Sequence, residues 1–247
     1  MNSTLSEEQL LPGFASQGVT EEYLGLWRRR IYIDGDGNED KSTIRFWMQT
    51  SDWHADLSIA PERPDFTKAS NLTECSNEQL HWLCCNQQGF AGVTRLNDDL
   101  CYWDRQHDSS LRTTADIGRM RFDGNSVHES GVLCDLYEHW ERMPFSADGS
   151  EFTIRSAALS SNSASTTLLL VRGGYFMYMR DRPTASTTLL AIQRRISEGC
   201  ATRSDLERFA DFEMSLGCID NNSWRVLHST LPWRENRLFS LASPPAG

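Results

Sequence analysis

The sequence predicts a mostly β protein built as an antiparallel barrel or barrels with two minor helices. Three observations carry this expectation. Ten or more short runs are rich in aromatic and β-branched residues and alternate with period two. Strong turn signals separate them, among them Asp34-Gly35-Asp36-Gly37-Asn38 and Asp123-Gly124-Asn125. The chain also holds eight tryptophans in 247 residues. Tryptophan brings a large apolar area and one N–H that wants a partner, so it favours cores and pocket walls.

In chain order, residues 1–20 read as a polar, flexible lead-in. Tyr23–Ile33 is the first strand and Ser42–Thr50 its return. Trp53–Ile59 alternates, and Pro61 and Pro64 break it. Ser76–Gln87 predicts a helix, with Ser76 and Gln79 spaced for a capping box. Gly89–Leu96 turns at Asn97-Asp98 into Leu100–Gln106, and Asp116–Phe122 turns into Val127–Glu129. Gly131–Arg142 reads as one long alternating strand. After a turn over 144–149 come strands at Glu151–Leu159, Thr166–Arg172 and Tyr175–Arg180. Thr187–Ser197 is a second helix stopped by Gly199, and Ser204 is placed to cap a short helical stretch entering Phe209–Leu216. Trp224–Leu231 is the last strand, and 241–247 a frayed tail. This divides the chain into a barrel over 21–143 and a second β-unit over 150–240, packed on the barrel or completing it.

Composition removes several functions. A net charge of −10 without a long basic run opposes phosphate neutralisation, so neither nucleic acid nor an anionic membrane surface is an expected partner. The first residues carry Glu7 and Glu8 and lack an apolar run of signal length, and no spanning segment is read, so a soluble cytoplasmic protein is expected. Seven cysteines without zinc-finger spacing then read as free thiols, and no metal or cofactor is expected.

Gly25-Leu26-Trp27-Arg28-Arg29, Phe46-Trp47-Met48-Gln49-Thr50 running to Pro61, Tyr137-Glu138-His139-Trp140 and Trp224-Arg225-Val226 follow in an order that resembles the Hri1-like proteins. The resemblance spans most of 21–235. It implies a lipocalin-like barrel of the cytosol and transfers no catalytic residue. The opening is also similar to the glycine–tryptophan start of lipocalins and of nitrobindin-like haem proteins, with Arg29 and Ile31 where the latter have glycines.

Barrel strands alternate in and out, so polar residues on an inner face would mark a site. His54 and Asp56 share one face of their strand, suited to an imidazole oriented by a carboxylate. Trp53, Ala55, Leu57 and Ile59 share the other, and if that apolar face is the core the pair is solvated. Glu138 sits with Trp140 on the more apolar face of its strand, where a carboxylate is an acid–base candidate or the partner of an arginine such as Arg119 or Arg121. Tyr102 with Asp104 offers a donor and a base, or a structural hydrogen bond; Trp103 and Arg105 take the other face. Arg119 and Arg121 could clamp a carboxylate or form an exposed ladder. The expected function is binding of a hydrophobic or amphipathic small molecule in the barrel, through Trp103, Arg119, Arg121 and Trp140. The alternative is a cofactor-independent lyase, isomerase or cyclase using His54, Asp56, Glu138 and Tyr102.

Overall fold

The computed structural model describes residues 18–239 apart from 148, 161–162 and 222, with backbone alone at 157–160 and 163–164. The tail at 241–247 and residues 1–17 of the expected lead-in lie outside the described residues. Nine strands follow one another as β1 (Gly25–Ile33), β2 (Glu39–Asp40), β3 (Ile44–Gln49), β4 (Trp53–Ile59), β5 (Gln87–Asn97), β6 (Leu100–Asp108), β7 (Ile117–Asp123), β8 (Ser126–Gly131) and β9 (Tyr137–Arg142). Each pairs antiparallel with its neighbour, β1 with β3 as well as with the two-residue β2, and β9 returns to β1. The result is a closed eight-stranded antiparallel barrel carrying β2 on one rim. Closure removes both sheet edges and satisfies their backbone groups. The alternating run at Gly131–Arg142 is not one strand: it breaks at 132–136, so that β8 and β9 form a hairpin.

A second antiparallel sheet follows in simple order: β10 (Glu151–Ser160), β11 (Ser163–Arg172), β12 (Tyr175–Arg180), β13 (Glu213–Asp220) and β14 (Ser223–Ser229). It shares no ladder with the barrel and lies against its outside. Phe46, Met48, Ala55, Leu57 and Ile59 of β3 and β4 meet Leu168, Leu170, Met177, Met179, Met214 and Leu216 in one apolar layer. Burying a large side chain of this kind contributes about 1.5–3 kcal/mol, so this layer is the main stabiliser of the assembly. The two sheets come close enough that a Cβ on Gly89 of β5 would stand 2.8 Å from Met214 and 2.9 Å from Phe212.

Three α-helices cover the rest: α1 (Asn77–Cys85), α2 (Ser186–Ser197) and α3 (Arg203–Ala210). Ser76 and Gln79 form the expected capping box on α1. For α3 the cap is Thr202 with Asp205, and Ser204 lies inside the helix. That helix ends before Glu213-Met214-Ser215-Leu216, whose period-two alternation makes it β13. No helix of the described residues is long and apolar enough to cross a membrane.

Candidate functional site

The interior is built in two storeys. At the end of the barrel that holds the β3–β4, β5–β6 and β7–β8 turns, Tyr23, Trp27, Trp47, Cys101, Trp103, Met120, Val127 and Trp140 fill the space. Trp27 stacks on Trp47 with ring centres 5.9 Å apart, and Trp103 and Trp140 meet Trp47 edge-on at 5.9 and 6.0 Å. Each indole N–H needs an acceptor when buried. Trp27 donates to the Tyr23 carbonyl, Trp47 to Gln49 and Trp140 to Glu129.

Above this aromatic floor lies a cavity of about 490 Å³ whose lining is largely charged. A chain of ion pairs crosses it. Asp40 accepts from Arg29 at 3.0 Å and Glu138 from Arg29 at 2.7 Å. Glu138 also accepts from Arg45 at 3.2 Å, and Arg45 Nε donates to both oxygens of Asp56 at 3.1 Å. A β-bulge in β1 between Arg29 and Ile31 resets the alternation, so that Arg29 and Tyr32 both line the cavity. Opposite, Arg105 pairs with Asp108 at 2.9 Å and with Asp116, its guanidinium 3.9 Å from the Phe90 ring centre. Burial pushes the Asp56 carboxyl up, against the pull of Arg45.

Glu129 differs from these carboxylates. It is cross-strand partner of Glu138, is buried, and has no ion pair among the described residues. Burial, then Glu138 and Asp116, hold its carboxyl well above the usual range, which favours its protonated form. Beside it is Gly118, where a Cβ would stand 2.9 Å from Glu129 Oε1 and from the Trp103 ring. Gly118→Ala is therefore expected to shift Trp103 or Glu129 and destabilise the fold by about 1–3 kcal/mol. Urea unfolding with tryptophan emission would measure this, and an unchanged midpoint and spectrum would refute the crowding.

The sequence-derived candidates fall into three groups. Asp56, Glu138, Trp103 and Trp140 line the cavity. His54 points inward but is sunk below it, fully buried, its Nδ1 3.1 Å from Thr94 Oγ1. Thr94 donates to Gln49, so the imidazole donates to Thr94 and is protonated on Nδ1, leaving Nε2 without a partner among the described residues. Burial, with Arg105 nearby, lowers its pKa to about 3. Tyr102, Arg119 and Arg121 do not reach the interior. Trp103 and Arg105 take the inner face of β6, and Tyr102 packs outside against Ile117. On β7 the space beside Trp103 and Glu129 admits only Gly118, which turns Arg119 and Arg121 outward; Arg119 pairs there with Asp99. Nor does either arginine pair with Glu138, whose partners Arg29 and Arg45 come from β1 and β3.

Arg29, Arg45, Asp116 and Glu129 are cavity residues that reading the sequence did not select. Glu129 was within reach, because Val127 and Glu129 repeat on β8 the apolar-with-acid face that singled out Glu138 and Trp140 on β9.

Comparison with protein-family models, with curated proteins and with solved structures finds no match. The chemistry must be read from the cavity alone. Four arginines of its lining, Arg29, Arg45, Arg105 and Arg112, stand against the carboxyl groups of Asp40, Asp56, Asp116 and Glu138, and the carboxyl of Glu129 is favoured in its protonated form. The wall is polar yet close to charge balance, and the floor is aromatic.

Proposed function

We propose that the barrel binds a small amphipathic molecule without net charge, its flat apolar part against Trp103, Trp140 and Phe90 and its polar part toward the arginine–carboxylate wall. The cavity of about 490 Å³ over a tryptophan floor carries this reading. That volume lies within the range of small-molecule sites. A ligand with an unpaired charge would have to be desolvated against a wall already compensated, which disfavours it. The family resemblance read from the opening Gly25-Leu26-Trp27 and from Tyr137–Trp140 belongs to the same proposal. Free thiols at the described cysteines support a reducing compartment such as the cytoplasm as part of this proposal.

Native mass spectrometry of freshly purified protein, against its denatured mass, is the first test. Ser58→Phe, which projects a ring into the cavity from β4, supplies the control. An adduct carried by the wild type and lost in S58F is expected. A bare native mass, together with no saturable change of tryptophan emission on titration with neutral aromatic metabolites, would sink the reading.

A second reading is a cofactor-independent lyase, isomerase or cyclase. What favours it is the pairing, across adjacent strands of the wall, of Glu129, whose carboxyl burial pushes well up, with Glu138, which two arginines hold. Asp56 and Glu138 are both committed to Arg45, so the acid of such an enzyme would be Glu129.

A further inference from the structure

The two acidic residues that face each other on β8 and β9 have opposite surroundings. Glu138 is held by two guanidiniums, Arg29 and Arg45. Glu129 has none among the described residues, and its one side-chain hydrogen bond among them is the 3.0 Å donation from Trp140 Nε1 to Oε2. That bond occupies one oxygen as acceptor. The other, Oε1, has no hydrogen bond among the described residues; Gly118 packs closely against it on one side, and Glu129 is part of the cavity lining. Two carboxylates directly opposite one another repel, and the arginines decide which of the pair stays ionised.

We propose that Glu129 is the hydrogen-bond-donating carboxyl of the cavity, presenting an acid O–H from Oε1 to a carbonyl or ether oxygen of a flat, uncharged ligand. The proposal rests on the binding reading above and narrows it to ligands with an acceptor oxygen beside a planar apolar part. A neutral carboxylic acid kept on an apolar wall is suited to this because it can donate where a carboxylate only accepts. The groups that face Glu129 are Glu138 from β9, Asp116 from the segment before β7, Cys101 from β6, Arg45 from β3 and Tyr23 from below β1. Of these only Arg45 favours the ionised form, and it is already shared between Asp56 and Glu138.

Coumarin, a flat uncharged lactone with no titrating group, is the ligand for the test, read by quenching of tryptophan emission. Buried glutamates titrate as high as about pH 8–9. Wild-type affinity is therefore expected to fall by about tenfold as pH is raised from about 6 to about 10, when the donor is lost and a carboxylate replaces it. Glu129→Gln keeps an N–H donor and an acceptor for Trp140, so its affinity should match the wild type within about threefold at the acid end and stay flat with pH. Glu129→Leu should bind weakly throughout, with its fold checked by circular dichroism. Carboxyl-carbon NMR of glutamate-labelled protein should show one side chain still protonated at neutral pH and absent from E129Q. If every glutamate is ionised there, or if wild type and E129Q share one pH profile for coumarin, the donor assignment is overturned even though the cavity binds. If coumarin quenches none of the three proteins saturably, the binding reading itself fails and the donor role falls with it.

Discussion

Replacing Arg45 by methionine is expected to destabilise the protein by about 3–5 kcal/mol, the loss typical when one partner of a buried ion pair is removed. Arg45 donates from Nε to Asp56 and from Nη1 to Glu138, and these two carboxylates are 3% exposed each. Methionine keeps most of the apolar stem and removes every donor. Asp56 then has no ion-pair partner among the described residues, with Arg105 the remaining cation that acts on it, and Glu138 keeps Arg29 alone. The destabilisation comes from the orphaned charges more than from the lost attraction. Adding Asp56→Asn to Arg45→Met should consequently recover a large part of it. Urea unfolding of the two variants beside the wild type measures both. A loss below about 1 kcal/mol for R45M would place this network in the class of exposed surface pairs and refute its role as a buried framework.

His54→Gln is expected to change the acid response of the protein. In the unfolded chain a histidine titrates near 6.5, whereas His54 in the fold titrates near 3. Between those values the unfolded state binds the extra proton, so this residue makes stability fall as pH falls, by about 1.4 kcal/mol per unit and about 4–5 kcal/mol in all. Glu129 works in the other direction. Its carboxyl is protonated in the fold well above the value of 4.5 for a free glutamate, so its contribution is fully present below 4.5 and is lost as pH rises. The two slopes oppose each other, so each group masks part of the other's response in the wild type. H54Q should become more stable as pH is lowered, and E129Q less stable. Urea midpoints at about pH 7 and about pH 5 test this, and parallel behaviour of wild type and H54Q would show that His54 is not the neutral buried group described.

How legible the architecture is from sequence varies from strand to strand. On β7, Arg119 and Arg121 alternate with Gly118 and Met120, and only one face can be buried. On β4 the residues Ala55, Leu57 and Ile59 alternate with His54, Asp56 and Ser58, and the alternation invites the conclusion that the apolar set is the barrel core. The opposite holds. The polar set faces the cavity and the apolar set faces the second sheet. A strand pattern fixes which residues share a face. It does not say which face is inside when a distant segment, here β11–β13, covers the outside. The same reversal hides Arg45 between Ile44 and Phe46 on β3. Glu138 was readable as a buried acid, but its partners Arg29 and Arg45 lie 109 and 93 residues earlier in the chain, and no spacing rule reaches that far. Local signals fared differently. The Ser76/Gln79 cap needed four residues, and the structure carries it. At α3 the Thr202/Asp205 box was equally local, and Ser204 drew attention away from it.

The covering sheet also makes the barrel mechanically lopsided. Strands β3, β4 and β5 are gripped from within by the ion-pair chain and the tryptophans and from without by the apolar layer, and only Trp53 and Ser58 of β4 escape full burial. Strands β7 and β8 have the same interior behind them but expose alternate side chains to solvent. The least reinforced seam of the barrel is on that other side, where β6 and β7 share a ladder of just three residue pairs, from Leu100–Arg119 to Tyr102–Ile117. Glu129 and Gly118 lie on the side of the barrel that the second sheet does not brace.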